Sequence, residues 1–212
     1  MKKFNAFTLA EILITLGVIG VVAAMTMPTL IKNYKKQYTV NKLKETYTIL
    51  SQALQRAVVE NGEPKNWIYN GGDFFVENYL SPYLKIIKKS SNSPRHYYLS
   101  GVELPKNFYD NCIHYYLING VEITVRPYGN THHIIMADLN GIQGPNTYGK
   151  DCFKFEFVNS ADDFSLSKSF RFNGTTSDIS KIKADCKKGQ NGDFCGAWIM
   201  ENGWKIPDDY PW

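Results

Sequence analysis

From Phe7 to Ile31 the chain is predominantly apolar, and a single carboxylate, Glu11, lies inside that run. As a helix, the 21 residues from Phe7 to Met27 would span about 31 Å, which matches a bilayer core. Beyond Pro28 the pattern changes. Apolar residues recur mostly three and four apart at Tyr34, Tyr38, Leu43, Tyr47, Leu50, Leu54, Ala57 and Val58, with Gln52, Gln55, Arg56 and Glu60 on other faces. That spacing predicts one stripe of an amphipathic helix. Asn61-Gly62 followed by Pro64 predicts its end, because Gly takes the left-handed cap conformation readily. One helix from Phe7 to about Asn61 would be ~80 Å long at the standard rise.

A second half with a different period follows. Residues 73–80 suggest a short helix or an irregular segment, and Lys85 to Pro94, with Lys88 and Lys89, reads as an exposed loop. From Cys112 the period becomes two. Ile113–Ile118 and Val121–Arg126 flank Asn119-Gly120, the strongest short hairpin signal. Val121, Ile123 and Val125 share one face of the second strand, and Glu122, Thr124 and Arg126 share the other. His133–Leu139, the alternating Phe153, Phe155 and Phe157, and Ser169–Phe172 predict further strands, and Ala197–Ile206 predicts a hairpin about Asn202-Gly203. One long helix on an antiparallel sheet is an α+β arrangement.

Composition narrows the class. At 212 residues and 43% hydrophobic, the chain holds one ordinary domain plus an extra element. A formal charge of +4 is too mild to imply nucleic acid. The four cysteines, Cys112, Cys152, Cys186 and Cys195, fall in the second half, an even number that predicts two disulfides in an oxidising compartment. Cys186 and Cys195 bracket a polar, Gly-rich loop and predict a local clasp, which leaves Cys112 to pair with Cys152. Lys2 and Lys3 favour a cytoplasmic amino end, while Lys32, Lys35 and Lys36 flank the opposite end. The cysteines break that tie and place the carboxyl-terminal domain outside the cytoplasm.

The short lysine-bearing leader 1–6, then Phe7-Thr8-Leu9-Ala10-Glu11 and an apolar run, resembles the amino-terminal signal of type IV prepilins and type II secretion pseudopilins. Pro28, twenty-second from Phe7, matches the helix-bending Pro of pilins. The resemblance implies cleavage between Ala6 and Phe7 by a prepilin peptidase and N-methylation of Phe7. It also implies an assembly contact between Glu11 and the Phe7 amine of a neighbouring subunit. An ionisable group at membrane depth is a functional hypothesis by default, and pairing lets two charges enter lipid together. Ala6 departs from the Gly usual before the cut. The implied layout is leader 1–6, transmembrane and assembly helix 7–31, amphipathic continuation 32–61 and an extracytoplasmic pilin-like domain 62–212. The implied partners are other pilin subunits, the peptidase and an inner-membrane assembly platform. The implied location is the bacterial inner membrane in a single pass, then a fibre outside the cytoplasm.

Rival classes fit the same residues less well. A cleaved secretory signal ending near Val22-Ala23-Ala24 is the simplest rival, but the apolar stretch exceeds the usual signal core and carries Glu11. A minor pilin binding DNA or a surface ligand through its tyrosines and Lys85–Lys89 is the alternative function. No nucleophile elbow, His-Glu-x-x-His or phosphate-cradling Gly loop is present, so no enzyme is predicted. Asp138, Asn140 and Asp151 are candidate calcium ligands, as calcium occurs in a carboxyl-terminal loop of some pseudopilins. The same Asp138-Leu139-Asn140-Gly141 and Gly144-Pro145-Asn146 segments equally make a tight turn. Without Cys-x-x-Cys spacing, zinc is disfavoured. His96, His114, His132 and His133 are read as satisfied or solvated, with His132 and His133 on opposite strand faces.

Overall fold

Helix α1 runs from Leu9 to Asn61 and passes through Pro28 without ending. The computed structural model describes residues 8–92, 94–105, 108–109, 112–128, 132–158, 170–175 and 177–212. It divides into a unit Met1–Tyr38 and a unit Thr39–Trp212. In the first unit the apolar side chains, among them Leu13, Ile19, Met25 and Leu30, are exposed. The helix is long and apolar enough to cross a membrane, with a mean hydropathy of 2.2 in its most apolar window. The stripe expected from Tyr34 does not begin there. Tyr34 and Tyr38 are exposed and stack on each other at 6.4 Å.

The stripe starts at Val40 in the second unit. Val40, Leu43, Thr46, Leu50, Ala53, Leu54 and Ala57 are buried at three- and four-residue spacing. Tyr47 lays its ring against Phe170 (5.4 Å), Phe172 (5.5 Å) and Trp204 (5.9 Å), so α1 meets the sheet through aromatics.

That sheet has six strands: β1 (Ile86–Ser90), β2 (His114–Leu117), β3 (Glu122–Pro127), β4 (His132–Asp138), β5 (Cys152–Val158) and β6 (Phe170–Phe172). They pair in chain order and every pairing is antiparallel. The β2–β3 hairpin turns at Asn119-Gly120, where φ of Gly120 is +85° and a side chain would be strained. The fold is therefore α+β, with a long amino-terminal helix and an antiparallel sheet, consistent with a pilin-like layout. One sheet face presents Tyr115, Ile123, Val125, Ile135, Phe153, Phe155 and Phe157 to the main core. The opposite face carries His114, Glu122, Thr124, Asp138, Lys154 and Glu156, and these polar residues are buried as well.

Local patterns misled at two places. Lys85–Pro94 is not simply a loop, because Ile86–Ser90 forms edge strand β1 against β2. Its order comes from backbone pairing, while its lysines keep the strand edge soluble, so side-chain pattern carried little signal. The predicted hairpin Ala197–Ile206 is instead helix α4, Cys195–Glu201. A short apolar run suits either state, and the helix packs closely: a Cβ on Gly196 would lie 2.3 Å from the Phe172 ring. Helix α3, Ile179–Asp185, has no counterpart in the periodicity of the sequence. Residues 73–80 are helical as expected, within α2 (Gly71–Phe75) and a π-helical turn Val76–Leu80.

Cys186 and Cys195 form a disulfide that ties the end of α3 to the start of α4, with Cα atoms 5.1 Å apart. Its closed loop is short, so chain-entropy estimates give about 2–3 kcal/mol of stabilisation. Replacing both cysteines by serine is expected to lower thermal stability accordingly, measured by unfolding of the full chain in detergent. A double variant as stable as the parent overturns that expectation. The predicted Cys112–Cys152 bridge is corrected: both are buried free thiols. Strands β3 and β4 lie between β2 and β5. Three inter-strand steps separate neighbouring strand starts by about 14 Å, twice the Cα limit of about 7 Å for a disulfide.

Candidate functional site

Two places concentrate unusual chemistry. The first is the start of α1. Both the Thr8 N–H and the Thr8 hydroxyl donate to Glu11 Oε2 at 2.8 Å, and the Glu11 N–H donates to Thr8 Oγ1 at 3.3 Å. That reciprocal pair is a capping box, and it satisfies backbone donors that a helix start leaves open. The Thr8-x-x-Glu11 spacing carried this signal in the sequence. Glu11 remains exposed, and its charge sits at the positive end of the helix dipole. Ala6 and Phe7 lie outside the described residues, and Pro28 is inside the helix.

The second place is the polar face of the sheet. Register aligns Tyr116 with Glu122, Glu122 with Asp138, and Asp138 with Cys152, which makes one row across four strands. The neighbouring row runs His114, Thr124, Met136, Lys154. Period-two alternation puts all these side chains on one face. The chain segment around His96 reaches this face. It is pinned by Leu104 N–H donating to His96 O (2.9 Å) and Tyr97 N–H donating to Asn146 O (2.9 Å).

Within this buried layer, Asp138 is the focus. Its Oδ1 accepts the Asn140 N–H at 3.1 Å. Its Oδ2 accepts the Cys152 thiol at 3.4 Å and lies 3.7 Å from His96 Nε2. The His96 distance is too long for a hydrogen bond, and His96 Nε2 has no hydrogen-bond partner although its side chain is 1% exposed. Burial pushes the Asp138 carboxyl up to about 6, opposed by the nearby His96. Burial, and then the Asp138 charge, hold the Cys152 thiol well above its ordinary range. Alongside, His114 Nδ1 lies 2.5 Å from Glu122 Oε1 and 2.7 Å from Thr124 Oγ1, all fully buried.

Of the three candidate calcium ligands, Asn140 keeps a buried Oδ1 without a hydrogen-bond partner, while the carboxylate of Asp151 is engaged by the backbone. Asp151 accepts the Asn146 N–H (2.9 Å) and the Thr147 N–H (2.6 Å), one on each carboxylate oxygen. It thereby holds the turn before β5, which is the turn chemistry anticipated for this segment. Asp138 faces His96 and Cys152 instead, and those three form a group whose ligand atoms lie within 4.8 Å of one another. Sequence spacing could not reveal it, since residues 96, 138 and 152 meet only through the sheet. His132 and His133 do part to opposite faces. His133 stacks on Phe75 at 4.3 Å, with burial lowering its pKa to about 4, and His132 lies 3.3 Å from Glu156.

The model of a family described as a family of unknown function (DUF6613) matches residues 29–212. The chain belongs to that family. The DUF6613 match takes in the whole sheet, the polar face and the second part of α1, and it begins directly after Pro28. No curated protein and no solved structure matches the chain.

Proposed function

We propose that this DUF6613 protein is a structural subunit of a type IV pilus or type II secretion pseudopilus. It would be inserted in the inner membrane, cleaved before Phe7, N-methylated and assembled into a helical fibre. The observation that carries this reading is the exposed apolar segment from Leu9 to Ile31, with Glu11 in its first turn, continuous with the helix of an α+β domain. Exposed apolar surface on that scale requires lipid or other copies of the same helix around it. Fibre assembly exchanges the first for the second. Gly17 and Gly20 favour that exchange, since a Cβ at either position would meet nothing within 4 Å of its own chain and small residues let helices approach. The proposed partners are thus further subunits, the prepilin peptidase and an assembly platform.

A DNA-binding role for Lys85–Lys89 has less support. Lys89 donates to Glu77 at 2.6 Å, and Lys88 sits over the Tyr116 ring at 5.2 Å. Part of that positive charge is already engaged.

Intact-mass analysis of protein extracted from membranes tests the fibre reading. The mature chain is expected to begin at Phe7 with one added methyl group. A mature start near Met25 overturns it in favour of a cleaved secretory signal.

A further inference from the structure

We propose that His96, Asp138 and Cys152 form a zinc-class metal site inside the domain, stabilising the loop that crosses the polar face of the sheet. The inference is independent of the fibre reading. In a tetrahedral zinc site, bond lengths of about 2.0–2.3 Å place neighbouring ligand atoms about 3.3–3.8 Å apart. Here Cys152 Sγ and Asp138 Oδ2 are 3.4 Å apart, Asp138 Oδ2 and His96 Nε2 are 3.7 Å apart, and the remaining pair is within 4.8 Å. Two of the three separations thus match those an ion of this size needs, and the third, between His96 and Cys152, is bounded at 4.8 Å and would close on binding.

Donor chemistry selects the ion. A nitrogen, an oxygen and a sulfur suit borderline-soft Zn²⁺, whereas Ca²⁺ takes six to eight oxygens. Charge agrees with this choice. The thiol gives its proton to solvent on binding, so one thiolate and one carboxylate neutralise the divalent ion, and imidazole adds no charge. A neutral ensemble is what a site at 0–3% exposure requires. The site also accounts for an otherwise costly feature, the buried His96 Nε2 without a hydrogen-bond partner. Asp138 is already oriented for ligation, because Asn140 N–H occupies Oδ1 and leaves Oδ2 toward the other two donors. Three protein donors leave the fourth position of the tetrahedron to a solvent molecule, which adds no charge and is a set that zinc accepts.

The test uses the full-length chain in detergent, stripped with a chelator, then reloaded with Zn²⁺ or Co²⁺ and desalted. The parent and a Cys112→Ser control are expected to retain about one Zn²⁺ per chain, the stoichiometry of a single structural site. Cys152→Ser and His96→Gln are expected to fall to below about a tenth of that, since metal and fold are coupled through these ligands. With Co²⁺, the parent and the control should show thiolate-to-metal charge-transfer absorption, and Cys152→Ser should lack it. If Cys152→Ser fails to fold by circular dichroism, the Co²⁺ spectrum of the parent and the His96→Gln zinc content decide. The proposal is overturned if the parent retains no zinc or retains Ca²⁺ instead. It is equally overturned if both ligand variants fold and keep the parent's zinc content.

Discussion

Glu11→Gln in the full-length chain is expected to be inserted and cleaved normally but to yield almost no fibre. The substitution separates two roles that one carboxylate combines. As partner of Thr8 it closes a capping box, and glutamine can occupy that position equally well. As a charge it would neutralise the Phe7 amine of a neighbouring subunit, and glutamine cannot do so. An unpaired ionised group at membrane depth costs roughly 2.5–3.5 kcal/mol on insertion scales. Loss of a helix cap costs about 0.5–2 kcal/mol, the smaller effect, and Thr8→Ala isolates it. Fibre sheared from cells and quantified against membrane-held subunit gives the readout. Normal fibre from Glu11→Gln beside a deficit from Glu11→Ala would assign Glu11 to capping alone and remove it as the assembly contact.

His114→Ala is expected to be the most damaging single change on the polar face. His114 is the close partner of Glu122 Oε1, and both side chains are fully buried. Removing the imidazole leaves Glu122 Oε1 with the Thr124 hydroxyl at 3.3 Å, and Oε2 already lacks a hydrogen-bond partner. Breaking a buried pair by deleting one member costs about 3–5 kcal/mol, far more than the net worth of the intact pair. For a domain of this size that corresponds to a fall in melting temperature of roughly 6–20 °C. Combining it with Glu122→Gln should recover part of the loss, because the stranded charge is gone. Thermal unfolding of the full chain in detergent measures both. A loss below about 1 kcal/mol would mean that solvent reaches this pair.

Features set by neighbouring residues were legible in the sequence. The apolar run from Leu9, the three- and four-residue stripe from Leu43, the Asn119-Gly120 turn and the alternation of Phe153, Phe155 and Phe157 are each local repeats. A local repeat decides which side of an element seeks the core. The Cys186–Cys195 clasp belongs with them, because a short loop has few alternative partners. Thr8-x-x-Glu11 was equally local, yet its capping role was hidden behind the more conspicuous charge in an apolar run.

What the tertiary structure alone decided involves partners far apart in the chain. Strand β1 exists because β2 offers it an edge, not because Ile86–Ser90 alternates. Cys195–Glu201 forms a helix whose consecutive residues Cys195 to Ile199 are all buried by partners from elsewhere in the chain. Cys152 was free to pair with Cys112 as far as spacing could tell, but two intervening strands separate their starting points and turn its thiol to Asp138. The row Glu122–Asp138–Cys152, met from above by His96, has no periodic signature at all. Its members lie 14 to 56 positions apart in the chain. Antiparallel register alone sets them side by side, and burial then converts ordinary polar residues into a low-dielectric cluster whose donors must find one another or an ion.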